Sequence, residues 1–268
     1  MSTEPEWLAP ESLEQALALK AERAGEATIV AGGTFVGLLV NQRLLSPEAF
    51  LSLQRVPGLD YVRANGDLRL GALTTHRTVE LSRVVRTGWP ALQRAFAVVA
   101  TPRIRNQATV GGVLADADHA SDPPSMLLAL GARAVARSVR GEREIPIEEL
   151  IVGFYETSLE PDELLVEVRV PGGEHRATYR KFRSRSHEDR PAVGVAACRR
   201  GGELRVVVGA VAARPQWFPE LCEPEGDPAE IGRAYSEAVD PISDVSGSSD
   251  YRRRIVAVEV RRALEELS

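Results

Sequence analysis

Cysteine is nearly absent: the 268 residues contain two, Cys198 and Cys222. Two thiols cannot form a disulfide framework, a four-thiolate zinc site or an iron–sulfur cluster. Long apolar runs are also missing. No stretch reaches membrane length, and the opening MSTEPEWLAP lacks the basic-then-apolar pattern of a signal peptide. A membrane span and classical secretion are therefore not expected, and the expected location is cytoplasmic. Lysine is the scarcest charge: only Lys20 and Lys181 occur among 33 basic residues, a bias that genomic drift toward arginine accounts for. The formal charge of −5 argues against a nucleic-acid partner, which usually shows as a basic excess. His76, His119, His175 and His187 are scattered with no metal-ligand spacing, so no metal site is expected. No G-x-S-x-G elbow is present either, and no catalytic residue is assigned.

What remains is a chain of ordinary globular composition, 44% hydrophobic and 26% charged, long enough for about two domains. Helical spacing runs from Ser12 to Arg23, with Ser12 as N-cap and Gly25 as stop. Ala27–Ala31 reads as a strand entering the Gly32-Gly33 turn, and Phe50–Val56 as a second apolar segment. Asn65-Gly66 predicts a hairpin between residues 59–64 and 67–71, because both residues tolerate positive φ. Helices are expected over Thr78–Val85, Ala91–Ala100 and Pro124–Leu130, whereas Thr101–Asp122 shows no regular period. Another hairpin turns at Arg140-Gly141, and Pro171-Gly172-Gly173 reads as a boundary. Beyond it, Thr178–Phe182, Ala192–Arg199 and Leu204–Ala212 predict an antiparallel meander. Pro215–Asp227 reads as a loop. Ala229–Val239 and Tyr251–Leu267 read as helices, the latter with Ile255, Val258, Arg262 and Leu264 near one face. The fold class is α+β.

Two segments rise above this background: Val30-Ala31-Gly32-Gly33-Thr34 and Thr109-Val110-Gly111-Gly112. Each joins two glycines to a threonine. Without β-carbons, main-chain N–H groups can approach an anion closely, and the hydroxyl adds a donor. Two such loops from distant parts of the chain could grip one pyrophosphate from both sides. A lone Gly-Gly is more often just a tight turn, but a pair is more informative. Neither is G-x-G-x-x-G or a Walker loop, which removes the main support for a Rossmann or P-loop reading.

Around the second loop, Arg105-Asn106, Thr109–Gly112, Asp118, Asp122 and Leu130-Gly131-Ala132 resemble the flavin-binding signature of the molybdenum hydroxylase flavoproteins. These are the FAD-binding medium subunits of carbon monoxide dehydrogenase-type enzymes and the FAD domain of xanthine dehydrogenase. The resemblance extends through Ala31–Thr34, Leu70–Thr75, Gly153–Thr157, Glu163–Pro171 and Pro241 to Arg253, almost the whole chain. It implies a two-part N-terminal FAD-binding domain of the PCMH/vanillyl-alcohol-oxidase-like type over 1–172, with subdomains of about 1–58 and 59–172. A smaller C-terminal α+β domain with a short antiparallel sheet would follow over 173–268.

It also implies non-covalent FAD, held by Ile29, Val30, Ala31, Gly32, Gly33, Thr34, Phe35 and Val36 on one side of the pyrophosphate and by Thr109, Gly111 and Gly112 on the other. Asp122, with Asp118 as a weaker member, would accept from cofactor hydroxyls, although Asp122 also suits the N-cap of the following helix. Leu165 would touch the cofactor through its main chain, or else belong to a strand core. Lys181 would lie near the flavin, where a cation favours the reduced form; a solvated strand lysine is the alternative. Val113 and Arg190 depart from the family pattern, at the asparagine after Gly-Gly and at an apolar position beside the ring. The implied function is an electron-transfer subunit of an FAD-dependent oxidoreductase. The molybdenum cofactor and [2Fe–2S] clusters would lie on separate large and iron–sulfur subunits. A stand-alone flavoenzyme and a non-catalytic FAD-binding protein are the alternatives.

Overall fold

The computed structural model describes residues 4–186 and 188–267; His187 lies outside them. Three parallel strands open the chain, β1 (Glu6–Leu8), β2 (Ala27–Val30) and β3 (Ala49–Ser52), in the order β1-β3-β2. Helix α1 (Leu13–Glu22) is capped as its sequence predicts, the Ser12 hydroxyl accepting from Gln15 N–H. Helix α2 (Thr34–Asn41) starts directly from the first glycine pair, so the turn read from sequence is also a helix N-terminus.

The hairpin at Asn65-Gly66 forms as β4 (Val62–Asn65) and β5 (Asp67–Gly71), Gly66 taking φ +80°. The helix predicted over Thr78–Val85 is instead two short ones, α3 (His76–Leu81) and α4 (Arg83–Gly88). They break at Ser82, which is extended and caps the second. Helix α5 (Pro90–Ala97) starts at its proline. The region 101–122 contains two more short helices, α6 (Pro102–Arg105) and α7 (Val110–Ala115), each with a threonine N-cap. They are too short to leave a helical period, so only their capping threonines mark them. Helix α8 (Asp122–Ala129) follows, with Ser121 at the N-cap position. Asp122 is its first residue, so the N-cap reading of Asp122 fails by one residue.

Strands β6 (Arg133–Ser138) and β7 (Gly141–Pro146) form the second hairpin, followed by α9 (Ile147–Leu150), the small hairpin β8 (Ile151–Gly153) and β9 (Glu156–Thr157), and β10 (Leu164–Val170). The five-stranded antiparallel sheet runs β4-β5-β10-β6-β7, with β10 in its centre. A bulge in β10 between Leu165 and Glu167 reverses its alternation. Leu164 and Val166 therefore pack toward α1 and the first lobe, while Leu165, Val168 and Val170 join the main core.

The C-terminal sheet is antiparallel, in the order β11 (Arg176–Phe182), β12 (Val193–Arg200), β13 (Glu203–Gly209) and β14 (Gln216–Trp217). Strand β14 lies inside the stretch read as a loop, its two residues leaving no pattern to detect. Period-two alternation divides this sheet's faces. Ala196, Cys198 and Val207 belong to the core containing α5 and α8, whereas Val193, Val195, Val206 and Val208 pack with α10 (Pro228–Ala238) and α11 (Ser249–Leu267). The buried stripe of α11 is Arg252, Val256, Glu259, Val260, Ala263, Leu264 and Leu267. The face read from sequence was rotated: of its four residues only Leu264 is fully buried, because two buried charges, Arg252 and Glu259, take core-facing positions. Arg252 donates to the Ala210 carbonyl at 2.5 Å and to Asp244 at 2.6 Å; Glu259 receives Arg180 at 2.7 Å. Among the described residues no helix is long and apolar enough to cross a membrane.

Candidate cofactor cleft

A cleft of about 590 Å3 lies where the first lobe, the second glycine segment, β10 and the edge of the C-terminal sheet meet. Its size falls in the range of small-molecule sites. Of the residues proposed from sequence, Ile29, Ala31–Val36, Thr109, Gly111, Gly112, Asp118, Asp122, Leu165 and Lys181 all line it; Val30, the last residue of β2, is buried and does not.

The first glycine loop provides donors. Gly33 occupies the N-cap of α2 in the left-handed region, φ +69°, with no side-chain cap. The N–H groups of Thr34, Phe35 and Val36 have no partner among the described residues, so they point at the cleft from the positive end of the helix dipole. Gly32 has a different task. A β-carbon there would sit 1.8 Å from the Gln107 carbonyl oxygen, so its bareness lets the first loop touch the segment leading into the second.

The second loop has its amides engaged within the protein. Val110 N–H donates to Thr74 O at 2.9 Å, Gly111 N–H to Ala72 O at 2.7 Å, and Gly112 N–H to the Thr109 hydroxyl oxygen at 3.1 Å. Gly111 is required by that contact, since a β-carbon would stand 2.7 Å from the Ala72 side chain. The Thr109 hydroxyl accepts from Gly112, which leaves its hydrogen free to donate. Beneath it, buried His76 donates from Nε2 to Thr109 O at 3.2 Å; burial holds its pKa down at about 4, so the ring is neutral at pH 7. Arg105 is paired with Glu80 at 2.8 Å and donates to the Val99 and Ala100 carbonyls at 2.8 and 3.1 Å, shaping the bend at one end of the cleft.

That end holds the charges. Asp122 is 3% exposed and accepts from the Tyr179 hydroxyl at 2.7 Å and the Lys181 ammonium at 2.8 Å. Lys181 also donates to Val98 O at 3.0 Å. The solvated-strand alternative for Lys181 is thereby removed. Burial opposes both charges, pulling the lysine down and pushing the carboxyl up, while the ion pair and the tyrosine hydroxyl counter it. Asp118 is bridged by Arg190 at 2.7 Å, so this arginine neutralises an acid of the same cleft. His119 packs edge-on against Phe154, off the cleft wall, and the neighbouring Tyr155 stacks on Phe35. Tyr155 N–H donates to Ala117 O at 3.1 Å, so the tip of the β8–β9 hairpin ties the first glycine loop to the acidic loop.

Sequence reasoning passed over Asp116, Lys20 and His76, all on the wall. Among the described residues Asp116 has no ion-pair partner, and burial followed by the charge of Asp118 pushes its pKa up to about 7. The scarcity of lysine was the available signal for Lys20, since both lysines of the chain face the cleft. Among the described residues no group of three or more His, Cys, Asp or Glu is arranged to hold a metal.

Comparison with known proteins gives one consistent answer. Residues 2–173 match the family model described as the FAD binding domain in molybdopterin dehydrogenase. The chain is 35% identical over 275 residues to the 6-hydroxypseudooxynicotine dehydrogenase complex subunit alpha of Paenarthrobacter nicotinovorans, covering 97% of this chain and 93% of that one. It is 28% identical to the carbon monoxide dehydrogenase medium chain of Hydrogenophaga pseudoflava, covering 97% and 95%. Among solved structures, carbon monoxide dehydrogenase from Hydrogenophaga pseudoflava superposes with a TM-score of 0.93 at 26% identity, covering 100% of this chain and 98% of that one.

Lys181→Met leaves the Asp122 carboxylate buried with Tyr179 alone and should lower the unfolding free energy by about 3–5 kcal/mol. Adding Asp122→Asn removes the stranded charge and should recover most of that in urea titrations; no recovery would mean the pair is not ionised. Asp116 gives a pH signature. Its folded pKa of about 7 lies above the ordinary 3.8, so folding takes up a proton between these values. Its stabilising contribution is complete below 3.8 and lost as pH rises through 7. Thermal unfolding at pH 5 and pH 8 should show this loss, and Asp116→Asn should flatten it.

Proposed function

This chain belongs to the molybdenum hydroxylase flavoproteins as an FAD-binding oxidoreductase subunit, and we propose that the cleft described above holds its FAD non-covalently. One observation carries the assignment: three amides at the start of α2, without a partner among the described residues, share a cleft with the Thr109 hydroxyl. A pyrophosphate needs such convergent donors, and a helix N-terminus with its amides open is a general anion site. The residues present fit the group. Gly33, Thr34, Phe35 and Val36 would hold the phosphates from one side and Thr109 from the other, while Gly111 and Gly112 keep that wall close. Leu165 would face the adenylate half, and Asp118, Asp122 and Lys181 the flavin half.

Bound there, FAD would supply the redox chemistry of an electron-transfer subunit between an iron–sulfur partner chain and an acceptor. The chain's own residues position and exclude water. Lys181 and Asp122 form a fixed, dry dipole at the flavin end, and Arg190 holds the Asp118 loop beside it. Two buried cysteines cannot ligate an iron–sulfur cluster, so the clusters would lie on a separate iron–sulfur subunit and, by the organisation of the family, the molybdenum cofactor on a separate large one. The relatives are themselves named as a subunit of a complex and a medium chain. We place the complex in the cytoplasm. We also take residues 1–172 as the FAD-binding domain, divided near 58, and 173–268 as the C-terminal domain.

FAD titration into the purified chain should give bound-flavin absorbance. Gly33→Val forces a β-branched residue into φ +69° and so turns the α2 amides away; it should weaken FAD by more than tenfold with the far-UV spectrum unchanged. Equal affinity would place the phosphates elsewhere. Affinity purification from the source cell should bring down an iron–sulfur chain and a molybdenum-containing chain in equal amounts. Turnover by the isolated chain with none attached would instead mark a stand-alone flavoenzyme.

A further inference from the structure

Both lysines of the chain line the cleft, and among the described residues Arg190 is the only arginine that joins them. Lys181 is fully engaged by Asp122 and Val98. Lys20 is not. It stands in the last turn of α1, half-buried, with no hydrogen-bond or ion-pair partner among the described residues. Of the acids at its end of the cleft, Asp162 is held by Arg140 at 2.6 and 2.9 Å and Glu163 by Arg143 at 2.6 and 2.8 Å, while Glu160 is exposed and makes no ion pair with Lys20 among the described residues. Burial lowers the Lys20 pKa, opposed by the charge of Asp162, with which it makes no ion pair. An ammonium partly withdrawn from water without a partner is a cost to the folded chain that a ligand can relieve.

The surroundings identify the ligand's chemistry. Leu53 and Leu164, which pack with Ala16 and Leu17 of α1, give this end of the cleft aliphatic walls suited to a flat ring, and Lys20 of the same helix is its cationic donor. A purine has the matching features: apolar faces and ring nitrogens that accept but do not donate. Lysine also suits the place better than arginine, because a compact ammonium on a flexible stem can reach one acceptor without needing a bidentate partner.

We propose that Lys20 binds the adenine base of FAD, its ammonium donating to an acceptor nitrogen of the purine ring. This rests on the FAD reading above. Calorimetric titration of the full-length apo chain tests it with FAD, ADP and riboflavin 5′-phosphate as probes. Lys20→Met should weaken FAD and ADP by the same factor, about tenfold, leave riboflavin 5′-phosphate unchanged and not lower the thermal midpoint of the apo chain, which loses an unpartnered ammonium. Unchanged FAD and ADP affinity in the variant would overturn the assignment, as would a loss for FAD that ADP does not share. If the unaltered chain binds neither FAD nor ADP, the cofactor reading itself fails and Lys20 loses its ligand with it.

Discussion

The cleft depends on main-chain contact between two segments far apart in sequence. Gly32 meets the carbonyl of Gln107 at a distance that no side chain allows, and Gly111 meets Ala72 in the same way. Through these contacts the parallel lobe, the five-stranded sheet and helix α7 form one wall. The amides of the second loop are bound into that wall, and those of the first are not. One loop is thus a fixed surface and the other an open set of donors. Glycine contributes close approach at Gly32 and Gly111, and a left-handed turn at Gly33.

An acidic chain can still house an anion because its buried carboxylates at the cleft are individually compensated. Asp122 faces Lys181, Asp118 faces Arg190, and Glu163 faces Arg143. Asp116, without a cation, shifts toward its neutral form instead. The formal charge of −5 therefore describes the surface more than the site. In a medium of low dielectric these pairs matter less for stability than for keeping the wall free of uncompensated negative charge.

Much of this was legible in the sequence, for identifiable reasons. Ser12, Asn65-Gly66 and Pro90 gave element starts and turns because each acts locally. The glycine pairs gave the cleft because their residue types are demanded by geometry. Short elements escaped: α6, α7 and β14 contain too few residues for a period to develop. The buried face of α11 was misread because Arg252 and Glu259 are polar by type and core by position, each neutralised by a residue distant in sequence. The Asp122–Lys181 pair escaped for the same cause. Its members were each placed near the cofactor by resemblance, but their attachment to one another is a tertiary fact.

Strand β11 supplies both partners of Asp122, Tyr179 and Lys181. During synthesis the two glycine loops leave the ribosome well before that strand does. Until β11 arrives, α8 begins with a bare carboxylate at the place where the cleft must close. The N-terminal segments therefore cannot complete this wall by themselves: the Asp122 end of the cleft is compensated only when the C-terminal sheet docks against α8.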